Sequence, residues 1–178
     1  EMNSLSDQIF KLFDDIYEEN LCRSLQLNIV WPDIEQISRI KENYPKMNIV
    51  FQLSHKAMEG KTPREISEGV KSYGDLLDYV LIDPSGGRGM LFHLKSSIEI
   101  YKELRKQCPG LTIGFAGGFD GENVAPRLKE LVRHTEETNF CIDAEGGLRD
   151  KITSEYGDDV LNIEKARKYL QNASSVLE

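Results

Sequence analysis

The amino-acid sequence predicts an α/β fold built around a parallel β-sheet. Short apolar segments rich in β-branched residues recur five times along the chain. A segment with apolar residues at helical spacing follows each of them, which is the pattern of repeated βα units. Since no linker rich in proline or serine interrupts this alternation, we expect a single domain over residues 1–178.

The first half of the chain is predicted to contain one helix and two βα units. Residues 4–19 place five large apolar side chains on one helical stripe, and residues 25–30 form a short apolar strand. Asp33 is well placed to cap the following helix. Residues 47–53 are the second strand. The segment 62–65 then has the pattern of a capping box, with proline at the first helical position.

Three further βα units are predicted in the second half. Residues 78–82 form a strand, and a long helix follows it until Pro109 and Gly110 stop that helix. Residues 111–115 and 140–142 form the last two strands, and an amphipathic helix follows each. We expect Cys141, inside the last strand, to be a buried small side chain.

The predicted strands look apolar on both faces, which is typical of a parallel sheet covered by helices. Two architectures fit this pattern, an open doubly wound sheet and a closed barrel. Periodicity alone does not separate them.

Composition excludes several classes of function. The net charge of -8 disfavours nucleic acid and anionic lipid as partners, but a small phosphorylated metabolite remains possible. Three widely spaced cysteines predict neither a metal site nor disulfides, and no organic cofactor is expected. The chain contains no membrane-length apolar run and no signal pattern, so we expect a cytoplasmic protein.

Paired glycines follow three successive strands, where the ligand site of a parallel α/β fold lies. Glycine lets backbone N–H groups approach an anion closely. We therefore expect Gly117, Gly118, Gly146 and Gly147 to bind phosphate. The mouth of the site would be shaped by Gly86, Gly87 and Gly89. The simpler interpretation is that these turns need glycine for positive φ angles.

These glycine turns resemble those of the phosphoribosylanthranilate isomerase family. Four segments of the chain match family motifs in the same order. The most specific match is residues 116–124 (AGGFDGENV). The others are 25–28 (LQLN), 81–89 (LIDPSGGRG) and 142–151 (IDAEGGLRDK). The resemblance implies a phosphate-binding (β/α)8 barrel of the TIM type, present here as an incomplete barrel of about five strands.

The resemblance also implies an aldose–ketose isomerisation of the Amadori type, in tryptophan biosynthesis. It assigns the role of general acid to Asp83; the alternative is that Asp83 caps a helix or pairs with a nearby lysine or arginine. Asp143 would contact the substrate. His55 follows the second strand, so it could also contact the substrate and serve as the base; the alternative is an exposed loop histidine. The ligand would be a small phosphorylated metabolite.

The sequence departs from the family pattern in four places. The first three βα units have no counterpart, and the cysteine that serves as the family's base is missing with them. Asn28 replaces a histidine, and Glu145 and Gly146 replace two serines. A carboxylate beside phosphate is unfavourable unless it pairs with a cation, for which Arg149 is the candidate.

Five strands leave two unpaired sheet edges. We therefore expect either upstream sequence or a homo-oligomer in which copies complete each other. Two alternative functions follow from the departures. One is a phosphosugar enzyme of the same fold with a different substrate and base. The other is a catalytically inactive family member that acts as a binding or assembly module.

Overall fold

The computed structural model describes residues 4–18, 21–85, 94–135, 140–152 and 159–177. Five parallel strands form its main sheet in the spatial order β1-β2-β3-β4-β5. These strands are β1 (Ser24–Leu27), β2 (Asn48–Ser54), β3 (Tyr79–Asp83), β4 (Thr112–Phe115) and β5 (Phe140–Ile142). A two-stranded antiparallel hairpin follows, made of β6 (Arg149–Lys151) and β7 (Asp159–Leu161).

Helices separate the strands, and successive long helices pack beside one another. The helices are α1 (Leu5–Glu18), α2 (Ile34–Asn43), α3 (His55–Met58), α4 (Pro63–Lys71), α5 (Leu94–Gln107), α6 (Val124–Thr135) and α7 (Ile163–Leu177). Short 3-10 turns occupy Gly74–Leu76 and Gly146–Leu148. None of the helices in the described ranges is long and apolar enough to cross a membrane.

The strand order separates the two architectures that the sequence left open. In a doubly wound sheet the order reverses at a switch point, whereas here each strand lies beside its predecessor. The α/β fold with its five-stranded parallel sheet is therefore compatible with part of a TIM-type barrel. Within the described residues β1 does not pair with β5, so the sheet is open and no closed barrel is formed.

The two faces of the sheet differ in polarity, so the prediction of strands apolar on both faces is wrong. Residues that share a face alternate along each strand. One face is apolar and lies in the core; its buried residues are Leu25, Leu27, Ile49, Phe51, Leu53, Val80, Ile82, Ile113 and Phe115. The opposite face carries polar or small residues at most positions, among them Gln26, Gln52, Ser54, Asp83, Thr112 and Gly114.

The predicted helix starts are confirmed. The Asp33 carboxylate accepts a hydrogen bond from the Gln36 N–H at 3.0 Å and so caps α2. The capping box of α4 is complete, because Thr62 and Glu65 bond reciprocally and proline occupies the first turn. These interactions satisfy N–H groups that a helix start otherwise leaves unpaired.

Two local predictions need correction, and one element was not predicted. β1 ends at Leu27, earlier than residue 30, because the chain turns at Trp31, which has a left-handed φ of 48°. The indole N–H of Trp31 donates to the Ala57 carbonyl at 2.9 Å. Cys141 is exposed, since β5 is a sheet edge and the side chain lies on the polar face. The hairpin of β6 and β7 had no sequence signal.

Candidate functional site

A cavity of about 220 Å³ lies at the carboxyl ends of the strands. Its floor comes from the polar face of the sheet, and its wall from the turns after β3, β4 and β5. The lining residues are Gln26, Asn28, Gln52, Asp83, Ser85, Ala116, Gly117, Gly118, Phe119, Asp143, Ala144, Glu145, Gly146, Gly147, Arg149 and Asp159. This is the end of the sheet at which parallel α/β folds place their sites.

Asp83, the last residue of β3, is buried, with 4 % of its surface exposed. Its carboxylate accepts three hydrogen bonds. The Gln52 side-chain N–H donates to Oδ2 at 2.6 Å, and the hydroxyl and N–H of Ser85 donate to Oδ1 at 2.7 and 3.0 Å. Gln52 is held in turn by the Gln26 amide, whose Nε2 donates to its Oε1 at 2.9 Å. These bonds fix the orientation of the buried carboxylate.

Asp143, which follows β5, has a different environment. It lies exposed at the cavity mouth, and none of the described side chains donates a hydrogen bond to its carboxyl group. Partial desolvation in the cavity raises the pKa of Asp143, and the negative charges of Glu145 and Asp83 raise it further. Asp143 therefore holds a proton more readily than an ordinary aspartate.

The two aspartates lie at the same level of the sheet. Ile82 is in register with Phe115, and Phe115 with Ile142. Asp83, Ala116 and Asp143 therefore form one row across β3, β4 and β5, with side chains on the polar face. Two strand spacings separate the aspartate Cα atoms by roughly 9.5 Å. The residue between them is alanine, and all three residues line the cavity.

The turn after β4 needs both of its glycines for conformational reasons. Gly117 and Gly118 have φ values of 115° and 63°, which other residues rarely adopt. The Arg127 guanidinium donates to both of their carbonyl oxygens, at 3.2 and 2.8 Å. Since C=O and N–H point to opposite sides of a trans peptide, the Gly118 N–H points away from Arg127. Asp120 then caps α6 by accepting from the Asn123 N–H at 2.9 Å.

The turn after β5 approaches the turn after β4 closely. A Cβ atom on Gly147 would lie 2.3 Å from the Phe119 carbonyl oxygen, so no larger residue fits there. Gly146 borders open space. The predicted phosphate-binding residues Gly117, Gly118, Gly146 and Gly147 do converge on one cavity. Close packing and positive φ nevertheless account for three of them without a ligand.

The cavity is negatively charged. Asp83, Asp143, Glu145 and Asp159 line it, and Arg149 is the single cation among its described lining residues. Arg149 is already paired with Glu145 at 3.2 Å, as the sequence suggested. A phosphate dianion would be repelled by this arrangement, whereas an uncharged polar ligand would not. Phosphate binding by the glycine turns stays a prediction, and the charges weigh against it.

Of the remaining predicted site residues, the structure describes only His55, and His55 is not brought into the cavity. His55 begins the short helix α3 and is exposed, and it is not among the residues that line the cavity. Gly86, Gly87 and Gly89 lie outside the described residues.

A larger cavity of about 680 Å³ opens at the opposite end of the sheet, before β3 and β4. Lys71, Asp75, Asp78 and Cys108 are among its lining residues. Asp78 is held by Lys41 at 2.7 Å and by the Ile49 N–H at 2.8 Å, so its role is to join α2 to the sheet. We regard this cavity as structural, because Asp78 is engaged in these contacts.

Comparison with known proteins shows which solved structures have a similar fold. No protein-family model matches the chain, and no curated protein sequence matches it. The chain is similar in fold to chitinase catalytic domains. The catalytic domain of a hyperthermophilic chitinase from Pyrococcus furiosus superposes with a TM-score of 0.54 at 10% sequence identity, over 99% of this chain and 69% of that one. Catalytic-site mutants of active domain 2 of the thermostable chitinase of that organism, complexed with chito-oligosaccharides, give 0.54 and 10%, over 98% and 68%.

These comparisons overturn the assignment to the phosphoribosylanthranilate isomerase family, and with it the isomerase activity and the place in tryptophan biosynthesis. The error has a physical source. The best matching motif, residues 116–124, encodes a turn with two positive-φ glycines followed by the Asp120 cap of α6. A strand–turn–helix unit of any function can use that sequence.

Sequence reasoning missed two buried polar groups at the site. Gln52 carried a signal, since it is an amide within the otherwise apolar run 49–53. Tyr169 carried no such signal, because an aromatic residue on an amphipathic helix is normally interpreted as part of the hydrophobic core. Its side chain is 7% exposed, and its hydroxyl has no hydrogen-bond partner within the described part of the chain.

Proposed function

We propose that the chain is a glycoside hydrolase-like protein that binds an uncharged sugar between Asp83 and Asp143. One observation carries this proposal. Two carboxyl groups in contrasting environments face the same cavity from the same level of the sheet. Hydrolysis of a glycosidic bond needs such a pair, one carboxyl group to protonate the leaving oxygen and one carboxylate on the other side.

The two environments suggest how the roles divide. The raised pKa of Asp143 suits a general acid, because the group must carry a proton to the leaving oxygen. Asp83 is held by Gln52 and Ser85 through both of its oxygens, which suits a fixed carboxylate. It would stabilise positive charge at the anomeric carbon, either directly or through an attacking water.

Charge and size favour an uncharged sugar over a phosphorylated one. The excess of carboxylates lets the cavity accept hydroxyl donors, and the amides of Gln26, Asn28 and Gln52 add donors and acceptors. At about 220 Å³ the cavity is smaller than the roughly 300 to 1,000 Å³ of common ligand sites. We therefore expect it to hold one sugar ring, with any further rings outside it.

The structural neighbours support the same class of substrate. These neighbours are chitinase catalytic domains, one of them complexed with chito-oligosaccharides. At 10% identity they are similar to this chain in fold alone, so the substrate is taken from the charges and hydrogen-bonding groups of the cavity.

The test is hydrolysis of a panel of chromogenic glycosides and of chito-oligosaccharides by the wild type, Asp83→Asn and Asp143→Asn. Each substitution keeps the size of the side chain and removes a carboxyl group. We expect kcat/KM to fall by about 10² to 10⁴ in each variant, the scale of acid–base catalysis by one group.

Asp75→Asn serves as the matched control. It makes the same chemical change on an exposed turn at the other end of the sheet, and we expect wild-type activity. If no glycoside is hydrolysed or bound by the folded wild type, the proposed function is wrong. Full activity in both cavity variants would also refute it.

A further inference from the structure

The Tyr169 hydroxyl is buried without a hydrogen-bond partner in the described chain. Leaving a buried polar group unpaired costs about 1 to 3 kcal/mol. Such a group in a folded protein calls for an explanation, and one explanation is that it serves a function.

Helix α7, which carries Tyr169, packs beside the candidate site. It packs on the 3-10 turn Gly146–Leu148, which follows Asp143 in the chain. Neighbouring side chains tie α7 to the turn between β4 and α6: Lys168 forms an ion pair with Glu122, and Asn172 donates to the Gly121 carbonyl at 2.6 Å. These contacts fix the helix on both turns that form the cavity wall.

Asp143 is the complementary group. Its carboxyl group receives no hydrogen bond from the described residues, and it faces the like charges of Asp83 and Glu145. Burial and the negative charges of Asp143 and Cys141 raise the pKa of Tyr169 to about 12. The phenol therefore keeps its proton at physiological pH and can act only as a donor toward a carboxylate.

We propose that Tyr169 is a positioning residue whose hydroxyl donates a hydrogen bond to Asp143 when that carboxyl group is ionised. The bond would orient the carboxylate in the state that follows proton donation, and it would be released when Asp143 regains its proton. This inference rests on the proposed function for its catalytic meaning. The contact itself can be tested without any activity.

The titration midpoint of Asp143 depends on every charged group around it, so apart from the substituted residue these groups must be the same in the proteins that are compared. Among the described residues, the ionisable neighbours in the cavity and on the elements packed against it include Asp83, Cys141, Glu145, Arg149, Asp159 and Tyr169.

The test compares the carboxyl titration of Asp143, followed by carbon NMR, in the wild type and in Tyr169→Phe. Removing the donor destabilises the ionised form, so the midpoint should rise by about one pH unit. At a pH low enough to protonate Asp143, Tyr169→Phe should also raise Tm, because the hydroxyl is then buried and unpaired.

Ser97→Ala is the matched control. The Ser97 hydroxyl on α5 is also buried without a partner in the described residues, and it does not line the cavity. This variant should gain stability in the same way and leave the Asp143 titration unchanged. A purely structural Tyr169 would give the same two results, an increased Tm with an unmoved midpoint, and that outcome would overturn the inference.

A reciprocal measurement covers the case in which Tyr169→Phe does not fold. In Asp143→Asn the NMR titration of labelled Tyr169 should move to lower pH, since a nearby negative charge is gone. An unchanged Tyr169 titration would contradict the contact. Both readouts are titrations and need no enzymatic activity. A failed glycoside assay would therefore refute the proposed function without deciding whether Tyr169 contacts Asp143.

Discussion

The two faces of the parallel sheet perform different tasks. The helix-covered face is apolar, and side chains such as Phe51 and Phe115 are fully buried there. The other face carries Gln26, Gln52 and Asp83 in one hydrogen-bonded chain that leads to the cavity. Hydrophobic burial is concentrated on the first face, and the polar groups of the candidate site lie on the second. Adjacent residues of a single strand can therefore have opposite roles.

Adjacent residues of β2 provide the strongest test of this difference between the two faces. Phe51 packs between Trp31 and Tyr73, with ring centroids 5.4 and 5.7 Å away. Phe51→Ala should cost about 3 to 5 kcal/mol of unfolding free energy, because it leaves a cavity in the core. Val50→Ala, one residue earlier on the opposite face, should cost less than about 1 kcal/mol, since Val50 is partly exposed.

Denaturant unfolding of the two variants measures this difference. Equal losses of stability would contradict the assignment of the two faces. Folded Phe51→Ala should still bind the ligand of the wild type, because Phe51 does not line the cavity.

The support of Asp83 gives a second prediction. Gln52→Leu keeps the approximate volume of the side chain but removes the donor to the buried carboxylate. We expect a loss of about 1 to 3 kcal/mol at neutral pH. Gln171→Leu, the same change on the exposed surface of α7, should stay within about 0.5 kcal/mol of the wild type. A Gln52 variant as stable as the Gln171 variant would show that the amide does not support Asp83.

The smallest effect that we predict is the contribution of Asp143 to the pH dependence of stability. The pKa of Asp143 is raised in the folded state, so the folded protein binds the extra proton more tightly than the unfolded chain. Asp143 therefore lowers stability as pH rises above 3.8, its ordinary value, through the raised pKa. Asp143→Asn should gain stability over the wild type across that window and keep the gain at neutral pH.

Thermal unfolding of both proteins between acid and neutral pH checks the sign. The gain should be modest, since the exposed side chain is partly screened by water. A variant that becomes less stable than the wild type as pH rises would mean that the Asp143 carboxylate is stabilised in the fold.

Much of the fold could be predicted from the sequence because its signals are local. The Asp33 cap and the capping box at Thr62 depend on residues within one helical turn. The order of strands and helices follows from periodicity. The pairing of Glu145 with Arg149 could also be predicted, since four residues separate them.

The character of the site could not be predicted in this way. Whether Gln52 faces the core or the cavity depends on strand register, which a single apolar segment does not reveal. The glycines of the turns suggested an anion, yet Gly117 and Gly118 serve positive φ angles and Gly147 serves close packing. The excess of negative charge appears only when β3, β5 and β7 are brought together in space.

The central claim is that the cavity between Asp83 and Asp143 accepts an uncharged sugar. It is tested most directly by backbone amide NMR of Gly117, Gly118 and Gly146 during titration with a neutral oligosaccharide and, separately, with inorganic phosphate. We expect saturable shifts of these amides with the oligosaccharide and none with phosphate. Saturable shifts with phosphate, and none with any neutral sugar, would contradict the account.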